Sequence, residues 1–319
     1  MNPRCPSVLI PYDGPTEQPN TRDIVLYLRP QYNGLEVEST LLRIIKEQKE
    51  YRRKLTLVYL ANVPGDTIVE RQIIERHYSL RLYYAIHGVK AFTPHMHVLF
   101  KKWGGQKATE KTVLGAFEAL KKLRLSPEDL FFLWVDRRNM LKMLGQSIKR
   151  VHTESGELLH IINYDIPALL HMNSSSTNIA VMMFRTSLGY RHFRNMIDSA
   201  EAILREKGLV NKQCSIKRIF HYSQGPFEEL LDAYDYVVHT DGSAVSLNNF
   251  SFSQYLFRKG IDYQEQEGLL NHPLVVFYKS EEKNIFECTK GMSYHETYLQ
   301  IANITSVFLS PPCVSKDVQ

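Results

Sequence analysis

The segment Val237-Val238-His239-Thr240-Asp241-Gly242-Ser243 places an imidazole, a carboxylate and two hydroxyls at the end of an apolar run. A carboxylate such as Asp241 at a strand end can hold a divalent ion. Phosphodiester hydrolysis needs several such groups clamping two ions about 4 Å apart. The competing reading is a plain turn, since Asp-Gly is a common turn pair. Arg29 and Arg185 each close an apolar run shortly before a glycine turn that opens a helix. A guanidinium there is well placed to bind a phosphate at the helix start; the alternative is an arginine facing solvent at a sheet edge. Asp136 closes a third apolar run, 130–135. Pro94-His95-Met96-His97 offers two imidazoles at i and i+2, which share one face if the segment is a strand. No spacing fixes a third ligand, so neither a metal nor a cofactor is assigned.

Two of these segments resemble parts of known families. The 237–243 segment resembles the first strand of ribonuclease H domains, in which the Asp holds a metal. Here 78 residues follow Asp241, Glu265 and Glu267 are candidate partners, and no later strand ends in Asp. The turn reading is therefore the one adopted. Residues 24–30 resemble the first strand of nucleoside diphosphate kinases, which ends in Lys-Pro-Asp and contacts phosphate. This chain has Arg29-Pro30-Gln31 instead, and His239 does not sit in that family's Asn-x-x-His-Gly-x-Asp stretch. The resemblance implies a phosphate-binding strand end and not phosphohistidine chemistry. No Walker loop, Gly-x-Gly-x-x-Gly, Gly-x-Ser-x-Gly or Cys/His nucleophile pattern occurs.

A basic cluster is the broader signal. Residues 101–150 hold 12 Lys and Arg against 5 Asp and Glu. Lys101, Lys102, Trp103, Lys107 and Lys111 surround Gly104-Gly105, and Arg137, Arg138, Lys142, Lys149 and Arg150 follow Asp136. Cations around a Gly-Gly loop with a tryptophan can track a polyanion, whereas lysines on polar helix faces are ordinarily just solvated. The net charge of +5 hides a split: residues 1–150 carry 25 basic against 15 acidic residues, and residues 151–319 carry 14 against 19. Such asymmetry suggests an anionic partner for the first half, or pairing of opposite-charge halves between copies.

The elements that must position these groups alternate between strand and helix. Strands are expected at 24–28, 55–61, 98–100, 130–135, 179–184, 215–221 and 274–278, and a mostly apolar run at 158–162 follows a turn at Ser155-Gly156. Helices are expected at 35–48, 67–84, 109–123, 137–151, 190–207, 225–236 and 294–308, from apolar residues at helical spacing and flanking Gly and Pro. Offsets of 156 (Val25 with Val181) and 177 (His95 with His272, Lys102 with Lys279) align the two halves. The expected fold is α/β, or α+β: two ferredoxin-like or similar βαβ-containing halves, one a possible duplicate of the other, with sheets flanked by helices. The expected limits are an extended or disordered arm at 1–22, a basic domain at 23–172, a linker at 173–178, an acidic domain at 179–310 and a disordered tail at 311–319.

The chain opens with no signal-peptide pattern, has no apolar stretch of about 18 residues, and scatters its four cysteines (Cys5, Cys214, Cys288, Cys313). A reducing, cytoplasmic setting without membrane contact is expected. The function expected is non-catalytic binding of an anionic partner, nucleic acid or acidic protein, through Lys101, Lys102, Arg137 and Arg138, with Arg29 and Arg185 as further anion-binding candidates. The alternative is a phosphate- or nucleotide-handling enzyme that uses Asp136, His239 or Asp241 at strand ends.

Overall fold

A computed structural model describes residues 4–18, 20–210, 219–278 and 281–309. Its strands, in chain order, are β1 (Ser7–Ile10), β2 (Arg22–Leu28), β3 (Leu55–Pro64), β4 (Val113–Gly115), β5 (Met140–Met143), β6 (Gln146–His152), β7 (Leu158–Ile162), β8 (Asn178–Thr186), β9 (Phe220–Tyr222), β10 (Leu274–Phe277), β11 (Glu281–Asn284) and β12 (Ile304–Val307). With their flanking helices they make an α/β protein. No helix among the described residues is long and apolar enough to cross a membrane.

The chain folds as two compact units that interleave along the sequence. The first comprises Met1–Ile73, Asn173–Leu270 and Thr289–Asn303; the second comprises Ile74–Met172, Asn271–Cys288 and Ile304–Gln319. This corrects the expected division into a 23–172 and a 179–310 domain, although one crossing between units does fall at Asn173, where the linker was placed. The physical reason is strand pairing. β2 and β8, one from each expected half, lie side by side, with Ile24 opposite Phe184 and Leu26 opposite Met182.

The first unit holds an antiparallel sheet of order β1-β3-β8-β2-β9. Two βαβ units build four of these strands: β2, the Leu35–Glu47 helix and β3; then β8, the Tyr190–Glu206 helix and β9. The resulting order β3-β8-β2-β9 is that of one ferredoxin-like split βαβ sheet, not two. One face carries Ile24, Leu26, Leu28, Met182 and Phe184 against Leu41 and Ile44 of the first helix and Phe193, Met196 and Ile197 of the second. The Pro226–Tyr236 and Ser251–Arg258 helices cover β2 from the other side, where Val25 and Tyr27 are also buried. A strand buried on both faces reads as an unbroken apolar run, which is what 24–28 and 179–184 are.

The segment expected as an arm at 1–22 is partly built into this sheet, since β1 pairs with β3 and places Ser7 opposite Asn62. β3 ends where Gly65 passes the 174–177 backbone, with Gly65 N–H donating to Thr177 O at 2.7 Å.

The second unit has a mixed sheet, β4-β7-β6-β5, in which β4 runs parallel to β7 and the other pairs are antiparallel. A separate antiparallel sheet has the order β11-β10-β12. Met96 and Phe100 of the Pro94–Gly104 helix pack with Met143, Ile148 and Ile162, and Ala119 and Leu130 pack with Leu159 and Ile161 on another core.

Several expected elements change type here. Residues 98–100 are helix, because Thr93 caps Pro94–Gly104 through a hydrogen bond from Met96 N–H at 3.2 Å. Residues 127–132 are also helix, capped by Ser126. The basic helix expected at 137–151 is instead the β5–β6 hairpin, turned by Leu144 and Gly145 at φ 50° and 85°. Two consecutive positive φ values suit a two-residue hairpin turn, and leucine rarely signals one. The helix expected to run to 308 stops at Ile301, before β12. Residues 215–218 of one expected strand, Lys279 of the second offset match and the expected tail at 311–319 lie outside the described residues.

An alanine Cβ at position 65 would lie 1.9 Å from the Ser174 carbonyl oxygen, so the two backbones would have to part. Gly65→Ala is expected to cost about 1–3 kcal/mol, read as a lower urea midpoint with an unchanged slope. A wild-type midpoint would show that the close approach carries no constraint.

Candidate functional site

In the second unit, the groups that could meet a ligand line the β5 edge and the end of the Pro94–Gly104 helix. Lys101 and Lys102 are exposed on the last turn of that helix. Lys107 and Lys111 are exposed in the segment that follows. The acid among them, Glu110, is 3.2 Å from Lys90. Trp103 packs inward, with the Arg150 guanidinium 4.3 Å from its ring centroid. Arg150 Nε–H donates to His160 Nε2 at 3.3 Å, and His160 Nδ1 lies 3.2 Å from Thr112 O. Burial, with Arg150 adding to it, holds the His160 pKa below the ordinary histidine value. This imidazole is a neutral structural connector.

The aromatic run 131–134 is held from below. Lys149 on β6 is 4% exposed, and its ammonium donates to the Leu130, Phe131 and Leu133 carbonyls at 3.3, 3.1 and 2.7 Å. These are carbonyls at the C-terminal end of the Pro127–Phe132 helix, where helical partners run out and a cation is favoured. The Tyr164 ring lies 3.8 Å from the same ammonium. Above this clamp, Phe132 is 54% and Trp134 82% exposed. Neither exposure follows from the sequence, where 130–135 reads as a buried strand.

Asp136, Arg137 and Arg138 come next. Asp136 accepts from the Arg138 backbone N–H at 2.8 Å and from Arg138 Nε–H at 3.1 Å. These bonds hold its carboxyl below the usual range. Asp136 therefore fixes a local turn, and Arg137 stands exposed beside it. His95 and His97 sit on a helix, where i and i+2 point in different directions. The strand geometry required for a shared ligand does not form.

The remaining candidates belong to the first unit. Arg185 faces its register partner Asp23 with two hydrogen bonds, at 2.8 and 3.0 Å, and donates to Gly14 O at 2.6 Å. Its guanidinium is thus committed within the fold. Arg29 lies over the Tyr27 ring at 5.3 Å. Asp241 accepts from Ser243 N–H and Oγ–H at 2.8 and 2.7 Å, forming the turn that its Asp-Gly pair predicts, and His239 N–H donates to Ser243 O across that turn. Arg29, Arg185, His239 and Asp241 fall in the first unit; Lys101, Lys102, Asp136, Arg137 and Arg138 fall in the second.

The first unit also contains a buried acid network that the sequence does not advertise. The Pro226–Tyr236 helix turns Glu229 and Asp232 inward, 3% and 0% exposed. Glu229 accepts from Tyr190 Oη–H at 2.7 Å, from Asp23 N–H at 3.2 Å and from Tyr294 Oη–H. Asp232 accepts from Ser223 Oγ–H at 2.7 Å and lies 2.9 Å from His221 Nε2, whose ring stacks on Tyr27. The helical spacing i, i+3 in Glu229 and Asp232 was the available clue, but acids at that spacing ordinarily mark a solvated face. Both networks are interior ones, with their acids satisfied by neighbouring side chains and backbone.

Comparison of the chain with protein-family models, with curated proteins and with solved structures gave no match.

Burial, reinforced by the Asp23 charge, pushes the Glu229 pKa up to about 8. The unfolded chain releases this proton near the ordinary carboxylate value, so stability falls as pH rises from about 4.5 to 8 and then levels off. The neighbouring charges are Asp23, its partner Arg185, and Arg22, which lies over the Tyr190 ring. Glu229→Gln is expected to flatten this window, removing a slope worth about 3–5 kcal/mol in total. Urea midpoints at pH 5, 6.5 and 8 measure it. Equal slopes in both proteins would mean that Glu229 ionises as freely folded as unfolded.

Proposed function

We propose that this is a binding protein whose second unit engages a polyanionic polymer. What supports this reading is where the positive charge resides. The first unit is formally neutral, with 21 basic and 21 acidic residues, and the second carries 18 against 13. The whole net charge of the chain therefore belongs to one body. Within it, Lys101, Lys102, Lys111 and Arg137 are exposed and make no ion pair among the described residues, whereas Glu110, Asp136 and Glu157 are paired with Lys90, Arg138 and Lys122. Uncompensated cations facing water are the groups that release counterions when a phosphate or sulfate chain docks.

The same distribution weakens the idea of opposite-charge halves pairing between copies. The sequence halves meet in one sheet and are not separate bodies. The phosphate-enzyme alternative loses Arg185, whose donors are spent on Asp23 and Gly14.

Charge reversal at Lys101, Lys102, Arg137 and Arg138 is expected to lower the salt needed for elution from heparin. It should also shallow the dependence of affinity on salt by roughly 0.7–0.9 logarithmic units for each anionic group no longer neutralised. Reversal of Arg43 and Lys46 in the first unit is the control and should leave both unchanged. Equal elution of the second-unit variant and wild type would remove the proposal.

A further inference from the structure

The exposed aromatic run of the second unit extends this reading. We infer that Trp134, supported by Phe132, is a stacking platform for the bases of a single-stranded nucleic acid, with Arg137 and Lys142 taking adjacent phosphates. The inference rests on the polyanion reading and adds a ligand class to it.

Three observations carry it. First, Trp134 is 82% exposed and Phe132 54%, whereas the other tryptophan, Trp103, packs into a core. Exposed large aromatic side chains clustered in one short stretch mark contact surfaces. Second, the platform is preorganised. The buried Lys149 ammonium ties down the carbonyls of Leu130, Phe131 and Leu133, so the chain leading to Trp134 is fixed before any ligand arrives. A contact fixed in advance loses less entropy on binding.

Third, unpaired cations lie in the same stretch. Of the carboxylates there, Asp136 is paired with Arg138, Glu128 lies 2.5 Å from His171, and Asp129 accepts from Ser126 Oγ–H at 2.7 Å in the helix cap. Arg137 and Lys142 are exposed and make no ion pair among the described residues. Lys142 lies between Leu141 and Met143, which pack into the core that contains Met96 and Phe100. By strand alternation Lys142 leaves the sheet on the opposite face. An open aromatic face beside unpaired cations is the combination by which single strands are held without sequence reading. A duplex keeps its bases stacked and offers Trp134 nothing to stack on.

The test uses the full chain and two fluorescein-labelled probes of equal length, oligo(dT) and a DNA duplex, followed by anisotropy, with heparin as competitor. The expected result is preference for the single strand and a Trp134→Ala loss of about tenfold or more in single-strand affinity. Trp134→Phe should recover part of that loss, and heparin binding by Trp134→Ala should stay at the wild-type level. Unchanged oligo(dT) binding by Trp134→Ala, with binding still abolished on charge reversal at Lys101 and Lys102, would overturn the stacking inference and leave the polyanion reading standing. No binding of any probe or of heparin by wild type would overturn both. Binding to vesicles of anionic phospholipid, with no oligo(dT) binding, would overturn the inference in favour of a membrane surface.

Discussion

The first unit depends on one cross-strand contact, the pairing of Asp23 with Arg185 between β2 and β8. The two residues are register partners in the antiparallel ladder, and their side chains meet in a bidentate ion pair with 3% and 16% side-chain exposure. A slip of one residue would turn every apolar side chain of these strands to the wrong face. It would also leave a buried charge without its partner, which costs about 3–5 kcal/mol when one member of such a pair is removed. The ion pair thus selects the register that the apolar faces then stabilise. Tyr12 and Ser251 also donate to Asp23, and Gly14 accepts from Arg185, so the N-terminal segment and the Ser251–Arg258 helix are referred to the same point.

That pairing also explains why the sequence misleads about domains. Each half contains a strand, a glycine turn and a helix in matching order, and each reads as a candidate domain. In the split βαβ arrangement the two strands of a unit stand one strand's width apart. Here each unit fills the gap in the other, because β8 inserts between β3 and β2. The strands matched at an offset of 156 residues are therefore neighbours, a relation the topology produces with or without duplication. Continuous apolar runs made β2 and β8 legible as strands, and helical spacing of apolar residues placed Leu35–Glu47 and Tyr190–Glu206 as helices. What was not legible was which strands pair, since pairing over more than 150 residues leaves no local mark.

In the second unit the sequence misleads for a different reason. Its local signals compete. In 140–151 the apolar residues recur at spacings that suit a helix, and the hairpin is set by Leu144 in a conformation leucine seldom adopts. In 94–104 the His-x-His spacing draws attention to a strand, while Thr93-Pro94 supplies a cap and a first helical residue. The basic residues were legible at once from composition. The exposure of Phe132 and Trp134 was not, because an apolar run predicts burial and the Lys149 contacts to its carbonyls join residues 16 to 19 positions apart.

The two units handle charge by opposite means, and this bears on function more than the total does. In the first, interior acids are satisfied by other side chains: Asp23 by Arg185, the proton-retaining Glu229 by Tyr190 and Tyr294, and Asp232 by His221 and Ser223. Such pairing absorbs both signs within the fold. In the second, the buried Lys149 is satisfied by backbone carbonyls, which are dipoles and carry no net charge. Its positive charge is accommodated without using up a carboxylate. Two of the exposed acids there are occupied by close cations, Glu110 by Lys90 and Glu157 by Lys122. The cations left over, including Lys101, Lys102, Arg137 and Lys142, have only solvent or a ligand to turn to. On the proposed polyanion reading, such a surface would attract anions at a distance and orient them on approach, and the exposed aromatic run, anchored through Lys149, would convert that attraction into a preference for one kind of anion over another.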